Sequence, residues 1–208
     1  MLTDYEREVA TTLVEALCEY GLTENLAQYG EHGTENWFWN NNLREVGFGA
    51  SGGASKVCIW HDDLDNWVIK VGYTEKVKFD YATVEYEMYC KAVEAGLGDY
   101  FPKTIFLGEF CGRAFYLQQY AECSEDTVSS DWYERLRNQY DEDGEEYDPD
   151  TIWDAIDCMD DEEKAFLSFR DSALCNFLWN NGIGDLHEGN FGYIGGRMVI
   201  VDFSGWHN

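Results

Sequence analysis

With 208 residues, 45% of them hydrophobic and 16% aromatic, the chain suits one ordinary domain or two small lobes with a packed core, and a disordered chain is excluded. Its 41 acidic against 14 basic residues give a formal charge of −27, the wrong sign for non-specific binding to DNA or RNA, so a protein partner is expected to be basic; the same charge would serve solubility equally well. No apolar run of about 18 residues is present to span a membrane, and the opening Met-Leu-Thr-Asp-Tyr-Glu-Arg-Glu lacks the basic-then-apolar order of a signal peptide, so a cytoplasmic location is expected.

At the N-terminus Thr3 and Glu6 fit a capping box, and Leu2, Tyr5, Val9, Leu13, Leu17 and Tyr20 make an apolar stripe, which predicts a helix over 3–20 stopped by Gly21. A shorter helix is predicted over 23–29, closed by Gly30, ahead of Trp37, Phe38 and Trp39, whose rings read as core. From Leu43 the period becomes that of strands, predicted at 43–48, 56–61 and 67–71 around a glycine-rich turn and the turn 62–66. A helix over 79–95 ends at Gly96, and two more strands, 104–108 and 113–120, flank Cys111-Gly112. Three strands, a helix and two strands make an α+β arrangement with a five-stranded antiparallel sheet.

Residues 122–150 are too acidic to pack and read as a solvated loop, with helical stretches at 131–140 and from Pro149 to Ile156. Phe166, Leu167, Phe169, Ala173, Leu174, Phe177 and Leu178 then mark a helix over 162–180 that ends at Gly182. Glycines at 182, 184 and 189 oppose helix and strand, so Asp185 and Asn190 sit on a loop. Two short apolar runs, 191–194 and 197–201, joined by Gly195-Gly196, predict a hairpin that returns Asp202 to the neighbourhood of Asn190 and Asp185. Seven scattered cysteines without a Cys-x-x-Cys pair read as reduced thiols and not as zinc ligands.

Two carboxylates and an amide on such a loop are the groups phosphoryl transfer needs: a carboxylate for the attacking hydroxyl, and a carboxylate plus an amide oxygen for magnesium. Upstream, Gly47, Gly49, Gly52 and Gly53 let backbone N–H groups approach phosphate oxygens, and the strand that follows them argues against a dinucleotide fold. Lys70 lies inside the apolar strand Trp67-Val-Ile-Lys70 and needs an acidic partner from the next helix, for which Glu85 and Glu87 are the candidates.

Taken together, the glycine loop, Lys70, the helix glutamate, Asp185-x-x-x-x-Asn190 and Asp202-Phe-Ser-Gly205 occur in the order of the protein-kinase-like superfamily, which the chain resembles over about residues 43–205. The resemblance implies a two-lobed fold: an N-terminal helical extension (1–42), a five-stranded N-lobe (43–121) and a minimal, truncated helical C-lobe with an acidic insert (122–208). It implies ATP and Mg2+, with Asp185 as catalytic base, Lys70 on the phosphates, Glu85 on Lys70, and Asn190 and Asp202 on the metal. Ala114–Glu122 looks like the strand entering the adenine hinge, with Gln118 as gatekeeper and Gln119 and Ala121 as hinge contacts.

The chain departs from typical protein kinases in having Ile183-Gly184 before Asp185, which removes the arginine that senses activation-loop phosphorylation, and His187 two positions after it. Asp-Leu-His-x-Gly-Asn also resembles small-molecule phosphotransferases such as those acting on aminoglycosides; His187 either assists the phosphate or bonds a loop carbonyl. Only Trp206, His207 and Asn208 follow Gly205 here, so a substrate platform is expected in 1–42 or 122–160. Compact serine/threonine kinases of tailed bacteriophages look similar in this brevity, and imply a host-protein substrate with a basic surface in the host cytoplasm. The alternatives are a small-molecule phosphotransferase and a non-catalytic acidic protein that mimics the charge of DNA, with neither nucleic-acid nor membrane binding expected in any of the three.

Overall fold

The structure is a computed structural model that describes residues 2–53, 55–73, 80–122, 173–183 and 190–204, with the backbone alone for 27–35, 179 and 198. The chain divides into two units, Met1–Ala121 and Glu122–Asn208.

In the first unit, helix α1 (Asp4–Glu19) begins at the expected capping box: Thr3 Oγ1 accepts from the Glu6 N–H at 3.1 Å and the Glu6 carboxylate accepts from the Thr3 N–H at 2.7 Å. Its buried face is Ala10, Val14 and Leu17, flanked by Leu2, Val9 and Leu13. Tyr5 and Tyr20, expected in the stripe, are exposed; Tyr5 lies about 140° round the helix axis from Ala10.

Helix α2 (Leu22–Asn40) corrects the short helix predicted over 23–29, because it continues through Gly30 to the aromatic cluster. An internal glycine costs about 1 kcal/mol relative to alanine, and the helix outweighs this by burying Leu22 and Leu26 at one end and Trp37 and Phe38 at the other. The strand predicted over 43–48 begins only at Phe48: Leu43–Val46 form a 3-10 turn in which only Leu43 is buried, and Gly47 follows at φ 91°, a left-handed conformation.

The sheet is antiparallel and five-stranded, in the order β1 (Phe48–Gly52), β2 (Lys56–His61), β3 (Trp67–Gly72), β5 (Arg113–Gln119), β4 (Thr104–Phe110). The first strand is therefore made largely of the glycine motif, held by pairing of Phe48–Gly52 with Val57–His61. Strand β4 runs past the predicted Gly108 to Phe110, with a register shift between Phe106 and Gly108, and Cys111 and Gly112, both at positive φ, turn the chain into β5.

Alternation sorts the two faces of this sheet. Val57, Ile59, Trp67, Ile69, Val71, Phe115 and Leu117 join Ala10, Val14, Leu17, Leu22, Leu26 and Phe38 in one hydrophobic core, so α1 and both ends of α2 are part of the sheet's own packing. On the other face lie Lys56, Cys58, Lys70, Tyr116 and Gln118, as the pairings Lys56↔Gly72, Cys58↔Lys70, Lys70↔Tyr116 and Val68↔Gln118 require.

Helix α3 (Tyr81–Glu94) packs there with Tyr81, Ala82, Glu85, Met88 and Ala92 inward. Its cap, Asp80, accepts from the Ala82 and Thr83 N–H groups at 3.0 and 3.2 Å. A Cβ on Gly72 would stand 2.2 Å from Asp80 Oδ1, so the missing side chain lets the start of α3 close onto β3.

In the second unit, helix α4 (Ala173–Asn180) buries Leu174 and Leu178, and the Ile183 N–H donates to the Leu178 carbonyl at 2.9 Å. Hairpin β6 (Phe191–Ile194) and β7 (Arg197–Ile200) turns at Gly195-Gly196, both at positive φ, as predicted. Glu122 and Tyr193 exchange backbone hydrogen bonds at 2.9 and 2.8 Å. The acidic loop, the helices predicted at 131–140 and 149–156, and the start of the 162–180 helix lie outside the described residues. Among the described residues no helix is long and apolar enough to cross a membrane.

One contact of α1 is pH-sensitive. Burial, and next a hydrogen bond with Cys111, push the Cys18 thiol from 9.0 up to about 12. The folded chain then keeps a proton that the unfolded chain gives up, so this contribution is complete below pH 9.0 and is lost as pH rises towards 12. Urea unfolding at several pH values should show wild type losing more stability across that window than Cys18→Ala; parallel losses would contradict the assignment.

Candidate functional site

Lys70 and Glu85, expected as a pair from the buried lysine and the kinase-like resemblance, meet on the α3 face of the sheet: Lys70 Nζ donates to Glu85 Oε1 at 2.6 Å. Glu87 is exposed, so the alternative partner is excluded by the phase of α3. Glu85 is 1% exposed and Lys70 7%, which makes this a buried ion pair.

Glu85 does more than pair with Lys70. Its Oε2 lies 2.8 Å from Lys56 Nζ on β2, a contact of opposite charges rather than a well-aligned hydrogen bond. Oε1 also accepts from the Gln118 side-chain amide at 2.5 Å, and the same Nε2 donates to Thr104 Oγ1 at 3.1 Å. The amide orientation follows from chemistry: an ionised carboxylate only accepts, and the Thr104 hydroxyl donates to the Pro102 carbonyl at 3.1 Å. Strands β2, β3, β4 and β5 thus each send one polar side chain to the cluster built on Glu85.

Aromatic packing holds α3 in this position. Tyr116, opposite Lys70 on β5, meets Thr83 Oγ1 at 2.7 Å and stacks with Tyr86 and Phe106 at 5.2 and 5.6 Å between ring centroids. Burial holds the Tyr116 phenol above its ordinary range, against the smaller opposing effect of the Thr83 bond.

The four predicted glycines are distributed unequally. Gly47 precedes β1, and Gly49 is occupied structurally: a Cβ there would come within 2.4 Å of the Trp60 indole. Gly52 ends β1 opposite Val57, and the Gly53 N–H donates to the Lys56 carbonyl at 2.9 Å, so both glycines lie on the β1 arm where it enters the turn to β2. At the predicted hinge, the Gln119 N–H donates to the Lys103 carbonyl and the Tyr120 N–H to the Asn66 carbonyl, each at 2.8 Å, and Ala121 is buried.

In the second unit the hairpin brings Asn190 and Asp202 together. The Val201 N–H donates to the Asn190 carbonyl at 2.9 Å, so Asp202 directly follows the residue opposite Asn190. Asn190 is buried, Asp202 half-buried, and the Ser204 hydroxyl donates to Asp202 Oδ1 at 3.3 Å; Phe203 between them is fully buried and anchors the turn. Asp185 and His187 lie outside the described residues. Among the described residues no three His, Cys, Asp or Glu side chains gather as a self-sufficient metal site. Neighbouring backbone positions of the hairpin thus carry a carboxylate and an amide, oxygen donors of the kind Mg2+ takes when a substrate's phosphates complete its shell.

Sequence reasoning missed Lys56 and the tie from Gln118 to Glu85. The available signal was alternation: Lys56 shares parity with Cys58, and Cys58 stands opposite Lys70. Comparison with protein-family models, curated proteins and solved structures finds no match.

Removing the carboxylate should be far worse than removing its exposed neighbour. Glu85→Ala would leave two buried ammonium groups without it and is expected to cost about 3–5 kcal/mol in urea unfolding, against less than about 0.5 kcal/mol for Glu87→Ala. Equal losses would contradict the buried cluster.

Proposed function

We propose that the chain is an ATP- and Mg2+-dependent phosphotransferase of protein-kinase-like type, acting on serine or threonine hydroxyls of a protein with a basic surface. The observation that carries this reading is the buried Lys70–Glu85 pair, 2.6 Å between strand β3 and the helix that follows it. A lysine on the third strand paired with a glutamate on the next helix is the arrangement that kinases use to hold the α- and β-phosphates of ATP. In the second unit Asn190 and Asp202, neighbours in the backbone of one hairpin, are oxygen donors of the required kind.

In this reading the backbone at Gly52 and Gly53 covers the phosphates, Glu85 orients Lys70, and Lys70 binds the phosphate oxygens. Gln118 borders the adenine, and the Gln119 contact runs through its carbonyl, since its N–H is bound to Lys103. Asn190 and Asp202 would hold Mg2+, which neutralises charge on the phosphates when bound. Asp185 accepts the hydroxyl proton while the acceptor oxygen bonds to the γ-phosphorus; the bond from that phosphorus to the bridging oxygen breaks, and ADP leaves with the electron pair. The formal charge of −27 favours a basic acceptor.

The test is transfer of label from γ-labelled ATP, with Mg2+, to a basic acceptor protein and separately to an aminoglycoside. Label should reach the protein, and Asp185→Ala should lower the rate about a hundredfold to ten-thousandfold. Label on the aminoglycoside alone would reassign the acceptor class. Equal labelling by wild type and Asp185→Ala would overturn the kinase reading.

A further inference from the structure

The turn between β4 and β5 breaks a local rule. Cys111 and Gly112, at φ 50° and 75°, are the two residues of its loop, with Phe110 paired to Arg113. Positive φ at both places marks the tight hairpin turn whose first position suits asparagine, aspartate or glycine. A cysteine there crowds its Cβ against its own backbone and has no side-chain oxygen to offset this. Asn42, the other non-glycine residue at positive φ among the described residues, is of the tolerant type. Cys111 serves the turn poorly, and what sets it apart is the contact its side chain makes.

That contact is Cys18, near the C-terminal end of α1: the two thiols share a hydrogen bond. Packing fixes the pair from both sides. Helix α1 lies against β4, Cys18 and Phe110 pack on the one hydrophobic core, and Phe110 meets Phe115 edge-on at 5.8 Å between centroids. Cys111 itself is exposed and Cys18 half-buried. A Cβ on Gly112 would meet nothing within 4 Å, so the turn has room to bring the sulfurs from hydrogen-bond contact to the roughly 2 Å of a covalent bond.

We propose that Cys18 and Cys111 form a reversible disulfide by exchange with a low-molecular-weight disulfide, stapling α1 to the β4–β5 turn. The proposal is independent of the nucleotide reading, since neither cysteine belongs to that site. Exposure makes Cys111 the first to react: its thiolate bonds to one reagent sulfur, the reagent's S–S bond breaks, and one half leaves as a thiolate with the electron pair. Cys18 then gives up its proton and bonds to Cys111 Sγ, and the second half of the reagent leaves as a thiolate. Two protein thiols are oxidised by two electrons in all, the reagent is reduced to two thiols, and the two protons pass to them. The order also follows from Cys18's surroundings, where burial first, then Cys111, then Glu24 and Glu15 hold its proton. Capping Cys111 removes its own share of that hold.

The test is incubation of the full chain with bis(2-hydroxyethyl) disulfide, an uncharged reagent that the net charge of −27 does not repel, followed by acid quenching and mass spectrometry of non-reduced peptides. Wild type should yield a Cys18–Cys111 cross-link. Its urea midpoint should rise above that of the reduced protein, and dithiothreitol should return it. Cys18→Ser should keep the reagent on Cys111 with no such rise, and in Cys111→Ser the reagent should reach Cys18 at least about tenfold more slowly than it reaches Cys111 in wild type. Reagent persisting on Cys111 of wild type, a cross-link from either residue to another cysteine, or a lower midpoint after oxidation would overturn the proposal. The comparison of oxidised with reduced wild type involves no substitution, so it decides the matter even where a variant fails to fold.

Discussion

A single buried carboxylate sets the geometry of the first unit. Glu85 can reach Lys70 only if α3 lies across β3 with the right rotation, and it can face Lys56 only if β2 is in its observed register. Gln118 and Thr104 extend the same constraint to β5 and β4. The cluster adds little net stability, because desolvating three charged groups offsets most of what their attraction returns. Its effect is specificity: any other helix phase buries an ammonium without its counter-charge, which costs more than the apolar contacts of α3 can replace.

Around that constraint the rest of the unit is conventional packing. The opposite sheet face is apolar and is covered by α1 and α2, whose inward residues interlock with Val57, Ile59, Ile69, Phe115 and Leu117. On the polar face, under α3, Gly72 admits Asp80 and the Tyr116–Thr83 contact fixes the helix laterally. In the second unit a hairpin with a glycine turn accomplishes something simpler. Cross-strand pairing sets Asp202 one step beyond the partner of Asn190, and the buried Phe203 holds the chain there.

Much of this was legible in the sequence because it depends on short-range rules. The capping box at Thr3 and Glu6 and the Gly195-Gly196 hairpin concern residues within a few positions of each other, and Glu85 was marked by the kinase-like resemblance together with the need of a buried lysine for a partner. Prediction failed where tertiary burial outvoted local preference. Gly30 does not end α2 because Trp37 and Phe38 have a core to enter, and Leu43–Val46 curl into a turn because only Leu43 has anywhere to bury. Lys56 was missed for a related reason: its significance lies in cross-strand register, which the composition of β2 does not reveal.

The central physical claim, that Lys70 and Glu85 act as one unit, is tested most directly by a double-mutant cycle. Stabilities of wild type, Lys70→Met, Glu85→Met and the double variant, from urea unfolding, isolate their coupling from all other effects of each change. The account predicts a favourable coupling of about 1–3 kcal/mol, with the double variant more stable than the sum of the single losses implies. Simple additivity would contradict it.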